Sequence, residues 1–141
     1  MELPWPPSVN HYWRSKVIIK NGRTMPIVYV AKKGKAYQKA VRGIINTRWP
    51  HLRPTEKRVI IVITAIMPDR RKRDLDNILK AAKDALTHAG FWADDSLVDV
   101  MPVIRGHVEK PGRLEVVVAV AETVEKLTIY PESGKWLTKI E

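Results

Sequence analysis

Apolar and polar positions along this chain follow rhythms that change at recognisable stops. The run Val59–Met67, VIIVITAIM, is almost wholly apolar and β-branched, which predicts a strand buried on both faces at the centre of a sheet. Pro68 ends it. Leu75, Ile78, Leu79, Ala82, Leu86 and Ala89 then recur at three- and four-residue steps, the stripe of a helix that must face a core. Gly90 suits the position just past a helix end and places that end near His88 or Ala89. Tyr37, Val41, Ile44 and Ile45 make a second stripe over about Lys33 to Arg48, with Lys35, Lys39 and Arg42 outside and Pro50 closing it. Two β-rich pieces, Val17–Ile19 and Ile27–Val30, flank Asn21-Gly22, a strong hairpin signal. Leu97–Arg105 and Arg113–Val120 read as strands, the first an edge or bulged strand because it contains Pro102. Pro4, Pro6 and Pro7 around Trp5 allow an extended edge segment but neither a helix nor a central strand over residues 2–14.

These elements predict an α+β fold: a single domain with a mixed β-sheet and two main helices, packed on one or both of its faces. A length of 141 residues with 45% hydrophobic content suits one domain with a real core. No internal repeat or linker divides it. Residues 122–141 follow the last strand as an extension. There LTIYPESGKWLTKI could turn at Pro131–Gly134 as a hairpin, reach out as a dimer arm, or remain disordered.

Charge narrows the class of partner. The formal net charge is +10 and the pI about 10.0, which calls for a polyanion, nucleic acid first and a membrane surface second. No apolar run approaches the ~20 residues that span a bilayer, and no charged leader precedes an apolar segment. The sequence holds no cysteine, which excludes disulfides and fits a reducing interior. The expectation is a soluble, cytoplasmic protein. Gly-rich phosphate loops and nucleophile elbows are missing from the sequence.

The candidate chemistry lies between Met67 and Asp95. Arg70, Arg71, Lys72 and Arg73 precede Asp74 and Asp76, and Asp94 and Asp95 follow the helix. If both were helical, Asp74 and Asp76 would point about 200° apart at about 3.6 residues per turn. They converge if Asp74 is instead the N-cap. Asp76, Lys80 and Asp84 step by four along a polar face. For Asp95 to join the other two, residues 90–95 must run back along a helix roughly 20 Å long, at about 3.3 Å per extended residue a tight reach. Three carboxylates beside a lysine suit a hard cation, Mg²⁺ or Mn²⁺, better than zinc. His11, His51, His88 and His107 are scattered and show no metal-ligand spacing. Basic residues that hold a phosphate backbone, next to carboxylates that carry a metal, read as a nuclease.

Taken singly, these signals have ordinary explanations: a solvated basic loop, a helix cap and a turn. Two rival readings accompany the nuclease. One is a DNA-binding module whose acids only cap a helix and balance charge. The other is a phosphatase using Asp-x-Asp, although such a nucleophile sits directly at a strand end with Thr or Val after it, whereas here the basic run intervenes and Asn77 follows.

The string MPDRRKRDLDN, followed by KAAKDALTHAGFWADDS, resembles the RusA family of Holliday-junction resolvases, small dimeric endonucleases of bacteria and their phages. The opening LPWPPSVNHYWR and the late GRLEVVV resemble the start and end of the same family, so the likeness runs over roughly residues 2–121. It implies a RusA-like domain that resolves four-way DNA junctions in recombination and repair. It also implies that Asp74, Asp76 and Asp95 hold the metal, with Lys80 as the active-site lysine. By the same resemblance Arg73 contacts substrate, Asp94 is a less critical neighbour and Asn10 lies near the active site. Arg14, Arg70, Arg71 and Lys72 are expected on the DNA. Mg²⁺, with Mn²⁺ able to substitute, is the expected cofactor, with no small-molecule cofactor and no membrane partner. A junction of approximate two-fold symmetry needs two matched incisions, which a C₂ homodimer supplies.

Overall fold

The computed structural model describes residues 1–120. The extension expected at 122–141 lies outside the described residues. In chain order the elements are β1 (Glu2–Pro4), α1 (Val9–Tyr12), β2 (Trp13–Lys20), β3 (Arg23–Val30), α2 (Lys32–Arg48), β4 (Val59–Met67), α3 (Asp76–His88), a 3₁₀ turn (Asp95–Leu97), β5 (Val98–Val100), β6 (Val103–Val108) and β7 (Arg113–Val120).

β4 is the centre of the main sheet, as its composition predicts. On one side it pairs antiparallel with β7, from Val59↔Val120 to Ile66↔Arg113. On the other it pairs parallel with β5 and β6. A parallel return needs a crossover, and α3 provides it. β1 adds at the outer edge of β7 through Leu3↔Leu114. Val59, Ile61, Ile63, Ala65 and Met67 point into the core with Val41 and Ile45 of α2 and Ala82 and Leu86 of α3. The opposite face is closed at Ile60 and Ile66 but half-open at Val62 and Thr64. Burial on both faces is therefore complete only toward the two ends of the strand. Among the described residues no helix is long and apolar enough to cross a membrane.

Three sequence expectations change in detail. Residues 9–12 form a short helix, α1, where none was expected. The prolines at 4, 6 and 7 all precede it, so none removes a donor from its turn, and Ser8 is the extended N-cap. The hairpin is longer than its apolar pieces, pairing Trp13↔Val30 through Lys20↔Arg23. Asn21 and Gly22 both take positive φ, 52° and 71°, the turn that matches the twist of a hairpin. Pro102 splits the expected 97–105 strand in two, yet its carbonyl still accepts from the Ile63 amide at 3.1 Å, where the pairing with β4 resumes.

Candidate active site

β4 delivers the chain to the end of the sheet, and the loop 68–75 is pinned there from several sides. Asp69 accepts from the Arg71 amide at 2.9 Å and from both terminal nitrogens of Arg73, with Nη2 at 2.9 Å. The Arg73 bonds, with help from the Arg71 amide, hold the Asp69 carboxyl well below the usual carboxylate range and raise the Arg73 guanidinium. Arg105, from β6, donates through Nη2 to the Arg73 carbonyl at 2.6 Å. Beneath the loop Gly112 has φ +84°, and a Cβ there would come within 2.9 Å of Pro68. Only glycine combines that backbone angle with so close an approach.

Arg70, Arg71 and Lys72 project to solvent, while Arg73 is half-buried in its pair with Asp69. The basic run therefore has two functions: three exposed cations, and one arginine that braces the loop.

Asp74 and Asp76 are both exposed at the start of α3. The cap position belongs to Leu75, in helical φ/ψ and without a side-chain cap bond, rather than to Asp74 as the sequence suggested. The Asp74 carbonyl accepts from the Asn77 amide at 3.3 Å, so a turn already forms one residue ahead of the helix. Lys80 is exposed on the next turn, its Nζ 5.6 Å from the centre of the Trp13 ring, a cation–π contact that ties α3 to the base of the hairpin.

Asp95 sits elsewhere on the same helix face. It opens the 3₁₀ turn, which Asp94 caps by accepting from the Ser96 amide at 2.8 Å. That bond lowers the Asp94 carboxyl. The Thr87 hydroxyl bonds Asp95, accepts from the buried Trp92 indole at 2.7 Å and also lies 3.0 Å from the Lys83 carbonyl. It has a single proton, so Asp95 and that carbonyl compete for it. Lys83 Nζ is 3.8 Å from Asp95. Asp76, Lys80, Lys83 and Thr87 follow one another at steps of four, three and four, and share a face. Asp95 thus meets that face about 10 Å or more beyond Asp76, at about 1.5 Å per residue.

Among the described residues, no three Asp, Glu, His or Cys side chains stand close enough to hold a metal ion. One chain alone does not gather Asp74, Asp76 and Asp95. The tight return along the helix is not made, because residues 91–93 turn inward instead. The Phe91 amide bonds the Leu86 carbonyl, the Ala93 amide bonds Thr55, Thr55 pairs with Trp92, and Trp92 is buried in the core.

Of the remaining candidates, Asn10 is exposed in α1 and Arg14 on the hairpin. Asp84, on the polar face in the sequence, is half-buried and accepts from the Tyr12 hydroxyl and from Gln38 Nε2 at 2.8 Å. This knot joins α1, α2 and α3 and fixes Asn10 relative to Lys80. Arg105, Thr87 and the Asp84 partners carried no sequence signal. Nor did the Asp69–Arg73 pair, since a spacing of four marks a contact only on a helix and residues 69–73 lie in a loop.

Fold and site together define a class: a strongly basic α+β domain whose acidic side chains stand behind a braced basic loop at a sheet end. The model of the family described as "Endodeoxyribonuclease RusA" matches residues 4–119. A protein named "Crossover junction endodeoxyribonuclease RusA" from Escherichia coli is 46% identical over 116 residues, covering 82% of this chain and 89% of the relative. Its namesake from Enterobacteria phage HK97 is 42% identical over 122 residues, 86% of this chain and 94% of the relative. The chain belongs to the RusA endodeoxyribonuclease family.

Proposed function

We propose that this chain is a crossover-junction endodeoxyribonuclease, which resolves four-way DNA junctions by paired symmetric incisions in recombination and repair. One observation carries the reading: in a chain of this family, the exposed Asp74 and Asp76 stand directly behind the solvent-facing Arg70, Arg71 and Lys72. The three cations hold the phosphate backbone without reading sequence. Lys80, fixed over Trp13, offsets charge that develops on the phosphate under attack. Asn10 and Arg14 bind the strand alongside. The protein works in the cytoplasm of a bacterium or of its phage-infected host.

Nucleases of this kind generally need a divalent metal, and the donors here suit Mg²⁺, with Mn²⁺ able to substitute: carboxylate oxygens, no thiolate and no histidine cluster. Asp74, Asp76 and Asp95 are the residues that would hold it. Held there, such an ion would supply Lewis acidity toward a phosphodiester oxygen and would make water a better nucleophile. Because one chain does not bring the three carboxylates together, the site is complete only in a C₂ homodimer, with Asp95 supplied across the two-fold axis. The same symmetry gives the two sites that a junction requires.

Mixing two dead variants tests this. Asp74→Asn and Asp95→Asn homodimers should each bind a junction in Mg²⁺ and fail to cut it. Mixed dimers of the two should regain one working site and nick one strand. A mixture that stays inert would place all three acids within one chain. Undiminished cutting by Asp74→Asn would take Asp74 out of the site, and a parent that fails to cut junctions in Mg²⁺ would overturn the nuclease reading itself.

A further inference from the structure

Among the described residues, the β2–β3 hairpin is a separate two-stranded sheet, tied to the body at its base. There Trp13 and Val30 pack against the core, and Gly34 of α2 leaves room for Val30, since a Cβ on it would meet Val30 Cγ1 at 2.6 Å. Cross-strand register assigns every other residue to a face. One face carries Arg14 and Lys16 beside Tyr29 at the base, with Lys16 Nζ 5.5 Å from that ring, then Ile27, Ile18 and Met25, and Lys20 and Arg23 at the tip. The other holds no charge. Beyond Trp13 and Val30 it presents Val17, Ile19 and Val28, exposed at 66%, 78% and 68%, with Pro26, Ser15 and Thr24 between them.

We propose that this uncharged face is the surface on which a second copy of the chain docks, hairpin against hairpin, while the basic face is left for the DNA. The proposal rests on the homodimer reading above and adds where the two copies meet. Like-charged chains of +10 repel wherever their cations face each other. A patch without charge on the arm that carries the cations outward is where contact costs least. Val17, Ile19, Pro26 and Val28 offer on the order of 400 Å² of apolar surface, about half of what one partner gives to a standard interface (~800 Å²) and as large as a functional patch on a monomer. A C₂ interface sets the same patch on both sides, and an uncharged apolar patch is complementary to itself. The hairpin base also touches the site through the Trp13–Lys80 contact, so docking there couples assembly to the active face.

The chain has no cysteine, so a single introduced thiol reports its own neighbourhood. In the full-length protein, Val17→Cys and Val28→Cys should each link into covalent pairs with a short bismaleimide, and Met25→Cys on the basic face should not. Val28→Asp should weaken self-association at least tenfold by sedimentation with an unchanged far-ultraviolet spectrum, and raising its concentration should restore junction cutting. A dimeric parent whose mass Val28→Asp leaves unchanged, or equal linking through Met25→Cys, overturns the surface, including the case in which residues 121–141 of the same chain cover this face. A parent that stays monomeric at all concentrations overturns the homodimer reading as well.

Discussion

At Asp69 one carboxylate accepts from both arms of the Arg73 guanidinium and from the Arg71 amide, so its removal acts on the loop rather than on the chemistry. Asp69→Asn should slow junction cutting by about tenfold or more through misplacement of Asp74. Binding should be kept or tightened, because Arg73 becomes free to meet phosphate; single-turnover rates beside a binding isotherm show the split. Tyr12 makes a different kind of prediction. Burial above all, and then its bond to Asp84, push its hydroxyl above the ordinary tyrosine range. The folded chain then keeps that proton at a pH where the unfolded chain releases it. The stabilisation is whole below about pH 10, the ordinary tyrosine value, and is lost as pH rises beyond it. Melting temperature followed from pH 8 to 11 should fall at the alkaline end, and less steeply in Tyr12→Phe. Tyr37 is also raised by burial, but its hydroxyl has no hydrogen-bond partner among the described residues. Tyr37→Phe should therefore be neutral or stabilising by up to about 1 kcal/mol in urea unfolding.

Helix α3 illustrates what sequence periodicity can and cannot reveal. Its buried stripe was legible because Ile78, Ala82 and Leu86 repeat at helical steps, and its start and end fell within a residue or two of the expected places. β4 was legible for a like reason, an unbroken β-branched run. The path of Asp95 was not legible, since it depends on Trp92, whose burial and pairing with Thr55 join positions far apart in the chain. Asp84 misled in the same way: its polar-face spacing was correct, but its partners come from two other helices. Thr87 links helix to turn, and Thr87→Val keeps its shape while removing the hydroxyl. The buried Trp92 indole loses its acceptor, a cost of about 1–3 kcal/mol. Asp95 loses its tether, so cutting should fall more than junction binding does, measured on the folded fraction.

For the molecule as a whole, charge was the most readable property and the assembly the least. Twenty-five Lys and Arg against fifteen Asp and Glu give a chain whose grip on DNA is largely counterion release. If six to ten phosphates are contacted, junction affinity should drop by roughly 10³–10⁵ between 50 and 200 mM salt. A titration with a shallow slope would leave the basic loop and hairpin without their expected part in binding. The two faces of the hairpin could not be separated in the sequence, because Pro26 and the interspersed cations hide the alternation that the register reveals. The sheet itself bears on how the protein is made. Among the described residues β4 finds its antiparallel neighbour only in β7, late in the chain. A growing chain must therefore carry VIIVITAIM without that partner until residue 120 has left the ribosome. Over that interval the centre of the future sheet is an aggregation hazard, and yield in the cell should depend on chaperones that shield nascent apolar strands.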